Sequence, residues 1–300
     1  MKYASLGLLS RPRGTLAASL ALLLTLATIP AVNAQLASPI SNAPSGEIIP
    51  GDVVWADLVT TDVDSATAFY TQVFGWQARA GDDSGYVELA SNGRVIAAVV
   101  RYDDDDIAAG NARWMASISV ADVDESARGV ERHGGSILQA PEEFPDRGRF
   151  AVVADSQGAA FMLLRAPGGD PAETDVATGA WGWAELWTRD VRQAARFYED
   201  TIGYRAMHNP DDPGPQPVVL TTEGRPRATI VEIPWEDVDP NWIPYVPVAD
   251  ARATLDRAKA AGGSVLLTSD DVEDDEGSFA AVIADPTGGV FAIQQAGGAR

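Results

Sequence analysis

Two carboxylates and a repeated aromatic–acid pattern are the side chains in this chain best suited to chemistry. Asp57 lies in Trp55-Ala-Asp57-Leu-Val59, and Glu88 in Tyr86-Val-Glu88-Leu. Carboxylates that share a site can hold one proton between them and act as acid and base. They can equally bind a ligand hydroxyl or amine, or hold a cation weakly. The first pattern recurs as Trp183-Ala-Glu185-Leu-Trp187, which sets one acid between two indoles. Aromatic walls around a single acid suit a flat or cationic organic ligand. The same tryptophans could also serve as packing between domains.

The remaining inventory removes whole classes of function. The 300 residues include no cysteine, which excludes disulfides, thiolate metal sites and thiol nucleophiles. Of the two histidines, His133 precedes Gly134-Gly135, where a helix would end and favour its charge. His208 stands alone. The acidic runs Asp103–Asp106 and Asp270–Glu276 lack the alternating spacing of a calcium loop and read as solvated loops. There is no phosphate-cradling glycine loop and no nucleophile elbow. With 43 acidic against 22 basic residues and a net charge of −21, no nucleic-acid partner is expected.

The chain begins with an address. Residues 1–13 carry Lys2, Arg11 and Arg13 and no acid; an apolar run from Leu16 to Pro30 follows, then Val32-Asn33-Ala34. This is the order of a secretory signal, with cleavage expected after Ala34. The run is too short to remain as a membrane span. Residues 35–50 read as a flexible tether. The expected location is periplasmic or extracellular, with no membrane span after cleavage.

An internal repeat organises the rest. Phe69-Tyr70 recurs as Phe197-Tyr198, and Gly134-Gly135-Ser136 as Gly262-Gly263-Ser264. Ala154-Asp155-Ser-Gln-Gly158 matches Ala284-Asp285-Pro-Thr-Gly288. The expected domains are residues 51–166 and 179–296, joined by a linker over 167–178. Residues 53–61 alternate as a strand does. Ala66, Phe69, Tyr70 and Val73 fall on one helix face, with Asp64 or Ser65 as the cap and Gly75 as the end. Short strands follow, and the plan repeats with a strand at 114–120 and a helix at 123–133. The unit is βαβββ, used four times. The class is α+β, with helices on the outer face of a mixed sheet whose other face forms a cup. On the first strand, Val54, Ala56 and Leu58 suit the helix side. Trp55, Asp57 and Val59, matched by Trp183, Glu185 and Trp187, suit a pocket wall.

Taken together, Asp62 before the helix, Phe69-Tyr70, Gly75-Trp76 and the Ala154-Asp155-Ser-Gln-Gly158 turn resemble the vicinal oxygen chelate superfamily. That superfamily includes glyoxalases, extradiol dioxygenases and bleomycin-binding proteins. The resemblance covers both repeats and implies two glyoxalase-like domains; fold alone does not fix activity. It also implies a divalent metal held by one side chain from each of four strands. In the first repeat the matching positions are Trp55, Glu88, Met115 (or its neighbour Ala116) and Met162. In the second they are Trp183, Val219, Ile243 and Ala292. Only Glu88 is a conventional ligand, because indoles and thioethers do not suit a hard divalent ion. The expected function is therefore binding of a small organic molecule without a metal cofactor. Trp55, Asp57, Glu88, Met115, Met162, Trp183, Glu185 and Trp187 are the candidate contacts. The alternative is a metal-dependent lyase or dioxygenase using Glu88 with Asp57. A third reading is an interaction module with self-filled cups. A monomer or a homodimer fits either repeat arrangement.

Overall fold

The structure is a computed structural model. It describes residues 39–40, 44–80, 85–102, 112–172, 178–181, 183–207, 217–233, 235, 238–269 and 279–296. The signal segment, His208, Gly182 and both acidic runs lie outside the described residues.

The first βαβββ unit comprises β1 (Val53–Thr60), α1 (Val63–Phe74), β2 (Gln77–Ala80), β3 (Tyr86–Ser91) and β4 (Arg94–Arg101). The second comprises β5 (Arg113–Ser119), α2 (Val123–Arg132), β6 (Ser136–Phe144), β7 (Gly148–Ala154) and β8 (Ala160–Arg165). The third runs through β9 (Trp183–Thr188), α3 (Val191–Ile202), β10 (Arg205–Met207), β11 (Val218–Thr222) and β12 (Arg225–Glu232). The fourth is β13 (Asn241–Val248), α4 (Ala251–Ala260), β14 (Ser264–Thr268), β15 (Ala280–Ala284) and β16 (Val290–Gln295).

All four helices start on the same device. Asp62, Asp122, Asp190 and Asp250 each accept from the backbone N–H three residues on, at 2.9–3.0 Å. The cap of α1 is thus Asp62, not Asp64 or Ser65: the aspartate that ends the strand turn is the residue with non-helical backbone. Gly75 ends α1 in the left-handed conformation, at φ 71°. The buried face of α1 is Val63, Ala66, Phe69, Tyr70 and Val73, so the helical period is read correctly from the sequence.

Each domain closes one eight-stranded mixed sheet, ordered β2-β3-β4-β1-β5-β8-β7-β6 and β10-β11-β12-β9-β13-β16-β15-β14. The first strands β1 and β9 lie at the centre. Asp57 faces Ala98 on one side and Met115 on the other, and Ala98 in turn faces Glu88. This register brings residues far apart in sequence into one row.

The helices cover the convex face of each sheet, and that face is turned toward the other domain. One core joins Leu58 and α1 with α4, Ile283 and Phe291; a second joins α2 and Phe161 with α3, Leu220 and Trp242. The cups therefore look away from each other, with all four helices between the sheets. Ala56 and Leu58 face this helix layer as expected. Val54 does not: it packs toward the cup, because a bulge between Val53 and Trp55 shifts the phase.

Two reciprocal hydrogen-bond chains lock the domains. Tyr70 of α1 donates to Asp285 Oδ2 (2.8 Å) and accepts from Trp114 Nε1 (2.8 Å). Tyr198 of α3 donates to Asp155 Oδ2 (3.2 Å) and accepts from Trp242 Nε1 (3.0 Å). Each domain's helix thus takes its carboxylate from the other domain. The second oxygen of Asp155 takes the amides of Gln157 and Ala159, and that of Asp285 those of Thr287 and Gly289. Gly289 is required by space: a Cβ there would come within 2.5 Å of Asp285 Oδ2.

The segment before the first sheet is partly tied down. Ser45 and Gly46 donate to Asp170 and Gly168, and Asp170 returns a bond to Glu47. The Asp170 carboxylate also accepts from Ile49 N and Ser119 Oγ, each at 2.6 Å. Residues 44–49 are therefore held by 168–170, where sequence reading expects only a flexible tether and a linker. Ile40 lies buried against the cup of the first domain.

Candidate functional site

The cup of the first domain is built from alternate residues of β1, β3, β4, β5, β7 and β8. Trp55, Tyr86, Ala98, Met115, Val152 and Met162 share its lining. Asp57 and Glu88 sit within it, 8% and 6% exposed. The Trp55 indole N–H donates to Asp57 Oδ1 at 2.8 Å. This is a contact along one strand, two residues apart on the same face.

Sequence reasoning missed the residue that closes this cup. Arg147, in the turn between β6 and β7, is only 6% exposed. Its guanidinium lies 3.8 Å from the centre of the Trp55 ring and donates to the Tyr86 hydroxyl. Burial pushes the Asp57 carboxyl above the usual carboxylate range, and Arg147 and the Trp55 hydrogen bond oppose that. Burial likewise pushes the Tyr86 phenol up. Arg147 opposes the shift, while Asp57 and Glu88 add to it. Five residues from two strands and one turn thus form a single electrostatic unit. Met115 and Met162 supply apolar wall beside it, and Ser117 Oγ lies 3.6 Å from Met162 Sδ.

The cup of the second domain carries the matching row with different chemistry. Glu185 is fully buried; its Oε1 accepts from Trp187 Nε1 and Tyr245 Oη, each at 2.9 Å. Trp187 stacks on Trp235 with centroids 5.7 Å apart, and Trp183 donates to Thr229. Trp183 is half-buried, whereas Glu185 and Trp187 are packed into a core with Ile243, Val282 and Ala292. In this conformation they fill the cup and do not line an open wall. Tyr245 and Trp235 were not anticipated; Tyr245 could have been, since it occupies the register position beside Trp183.

The register tests the implied metal directly. Glu88 pairs with Ala98 as Val219 pairs with Thr229, and Met115 pairs with Asp57 as Ile243 pairs with Glu185. Met162 pairs with Ser117 as Ala292 pairs with Tyr245. The eight positions taken from the family pattern are therefore equivalent between domains. Their donors do not fit a divalent metal: one carboxylate, two indoles and two thioethers stand among alkyl side chains. Asp57 is adjacent, but its Oδ1 already accepts from an indole. Among the described residues no group of three or more His, Asp or Glu side chains could hold a metal. His133 caps the end of α2 with Nδ1 3.2 Å from Asp200, away from either cup.

Comparison with known proteins agrees with this architecture. Residues 52–163 match the Glyoxalase/Bleomycin resistance protein/Dioxygenase superfamily, and residues 183–294 match the Glyoxalase-like domain. The chain is 34% identical over 262 residues to anthracycline biosynthesis protein DauV of Streptomyces sp. (strain C5), covering 81% of this chain and 93% of that one. The fold is similar to that of 2,3-dioxygenase LapB from Pseudomonas sp. KL28 (TM-score 0.56, 13% identity, 84% and 93% covered). It is also similar to that of a Mn(II)-bound glyoxalase from Novosphingobium aromaticivorans (TM-score 0.58, 16% identity, 82% of each chain). With both repeats matched and a relative at this identity spanning most of the chain, the protein belongs to the glyoxalase/bleomycin resistance protein/dioxygenase superfamily, as a tandem pair of its domains.

Proposed function

We propose that this chain is an exported protein that binds a small, flat aromatic molecule in the cup of the first domain, without the divalent metal of the superfamily's enzymes. The observation that carries the reading is the donor set. At the register positions implied for metal ligands, Glu88 alone is a conventional donor, while Trp55, Met115 and Met162 offer stacking and apolar surface. The polar groups beside them suit an organic ligand: Arg147 donates, Asp57 and Glu88 accept, and the Trp55 ring beneath the Arg147 guanidinium backs the site. The name of the relative DauV supports a polycyclic aromatic class, since an anthracycline is built on fused planar rings. The basic, apolar and small-residue order of residues 1–34 supports export.

Titration with a neutral anthraquinone tests the binding reading. Saturable quenching of tryptophan fluorescence is expected, and Met162→Trp, which fills the cup, should abolish it. Absence of quenching in the native protein would sink the proposal and favour an interaction module. Elemental analysis after purification without chelator tests the second clause. One tightly held transition metal per chain, lost on Glu88→Gln, would show that the enzyme reading is correct instead. N-terminal sequencing of the mature protein should begin at Gln35.

A further inference from the structure

A cleft of about 380 Å³ opens between the two domains, bordered on one side by Trp55 and Ile40 at the edge of the first cup and on the other by Trp183. Its volume is in the range of small-molecule sites, which favour domain interfaces. Both repeats contribute to it in matching ways. The β3–β4 hairpin turns on Asn92 and Gly93, both at positive φ, and the β11–β12 hairpin turns on Glu223 and Gly224, also both positive. These two turns bring Arg94 from one domain, and Pro226 and Arg227 from the other, to the same opening. Trp55, Trp114, Trp181 and Trp183 form the aromatic part of the wall. Trp181 meets Trp114 edge-on with centroids 4.6 Å apart. Its own indole N–H, buried, is without an acceptor.

The charges at the opening differ in kind. Arg227 is buried and committed: Nη1 lies 3.5 Å from Asp52, and Nε donates to Thr222 at 2.8 Å. Arg94 is exposed and has no acid partner among the described residues, in a chain with nearly twice as many acids as bases. An exposed cation left unpaired beside an aromatic, proline-lined cleft is complementary to a flat ring that carries one negative charge.

We infer that this inter-domain cleft is a second binding site, for a planar aromatic anion whose rings lie against Trp181 and Trp183 and whose charge meets Arg94. It borders the cup through Trp55 but is distinguishable from the cup reading, because Arg94, Ala172 and Pro226 line the cleft and Asp57, Glu88, Met115 and Met162 do not.

The probe is 8-anilinonaphthalene-1-sulfonate, measured by calorimetry on the full mature chain, with neutral N-phenyl-1-naphthylamine as its uncharged counterpart. One saturable sulfonate site is expected, with the neutral compound weaker. Arg94→Glu should weaken the sulfonate by about tenfold or more and leave the neutral compound little changed. Ala172→Trp, an exposed linker position on the cleft, should block both probes. Met162→Trp in the cup should leave both unchanged. Sulfonate binding that survives Arg94→Glu and Ala172→Trp, or that Met162→Trp removes, overturns the inference. Circular dichroism identifies a variant that fails to fold; the exposed Arg94 change then decides alone. Failure of the cup reading shows separately, as lost anthraquinone quenching.

Discussion

At the residue scale, Arg147 decides the state of the first cup. It covers Trp55, satisfies Tyr86 and holds Asp57 closer to its ionised form. Replacing it with alanine leaves a buried carboxylate and a phenol without their cation. Breaking a buried charge cluster by removing one partner costs about 3 kcal/mol, so urea titration of Arg147→Ala should show a loss of that order. Loss below about 0.5 kcal/mol would mean that the cluster is solvated, not buried. Arg147→Lys should recover only part of the loss, because an ammonium cannot spread over the indole face and reach Tyr86 in one fork. The site was half legible from sequence. Trp55 and Asp57 follow from strand period, and Glu88 from its match to the superfamily's ligand position on the strand after the helix. Arg147 does not, because β6 runs on to Phe144 through two register shifts before the turn that carries it. No local pattern announces that a turn arginine will fold inward.

At the scale of elements, the two Tyr–Asp–Trp chains explain why the sequence motifs repeat as they do. Phe-Tyr in the helix and Ala-Asp-x-x-Gly in the turn are two halves of one contact, each supplied to the opposite domain. The sequence displays both halves, but their pairing, across 215 and 43 residues, has no local signature. Tyr70→Phe leaves Asp285 Oδ2 and Trp114 Nε1 buried without this partner. A cost of about 1–3 kcal/mol is expected from such unsatisfied groups, and Tyr198→Phe should match it within the longer bond's weaker contribution. Denaturation followed by tryptophan fluorescence should give one transition in both variants. Two separated transitions would show that the domains fold as independent units. The helix caps predict a smaller effect: Asp190→Ala should cost about 1 kcal/mol, measured in the same titration.

At the scale of the molecule, charge sets the response to pH. Burial raises Asp52, Asp57, Asp155, Asp170 and Asp285 above the ordinary carboxylate value. A raised acid binds its proton more readily folded than unfolded, so its contribution to stability is present below about pH 4 and is lost as pH rises through the folded value. Self-repulsion from a net charge of −21 acts in the same direction. The exposed Asp62, Asp124 and Glu125 are lowered and oppose this at low pH. The thermal midpoint should therefore rise as pH is lowered from neutrality toward the ordinary carboxylate range, and Asp57→Asn should reduce that rise. A midpoint that is flat or falls over this interval would contradict the burial of these groups. The reciprocal clasp also bears on the order of synthesis. Tyr70 is made early, but the carboxylate it needs is Asp285, among the last stretches of chain to be translated. The first domain cannot complete its own interior while the second is still in the ribosome. A chain built this way closes its inter-domain core only after its last strands are made.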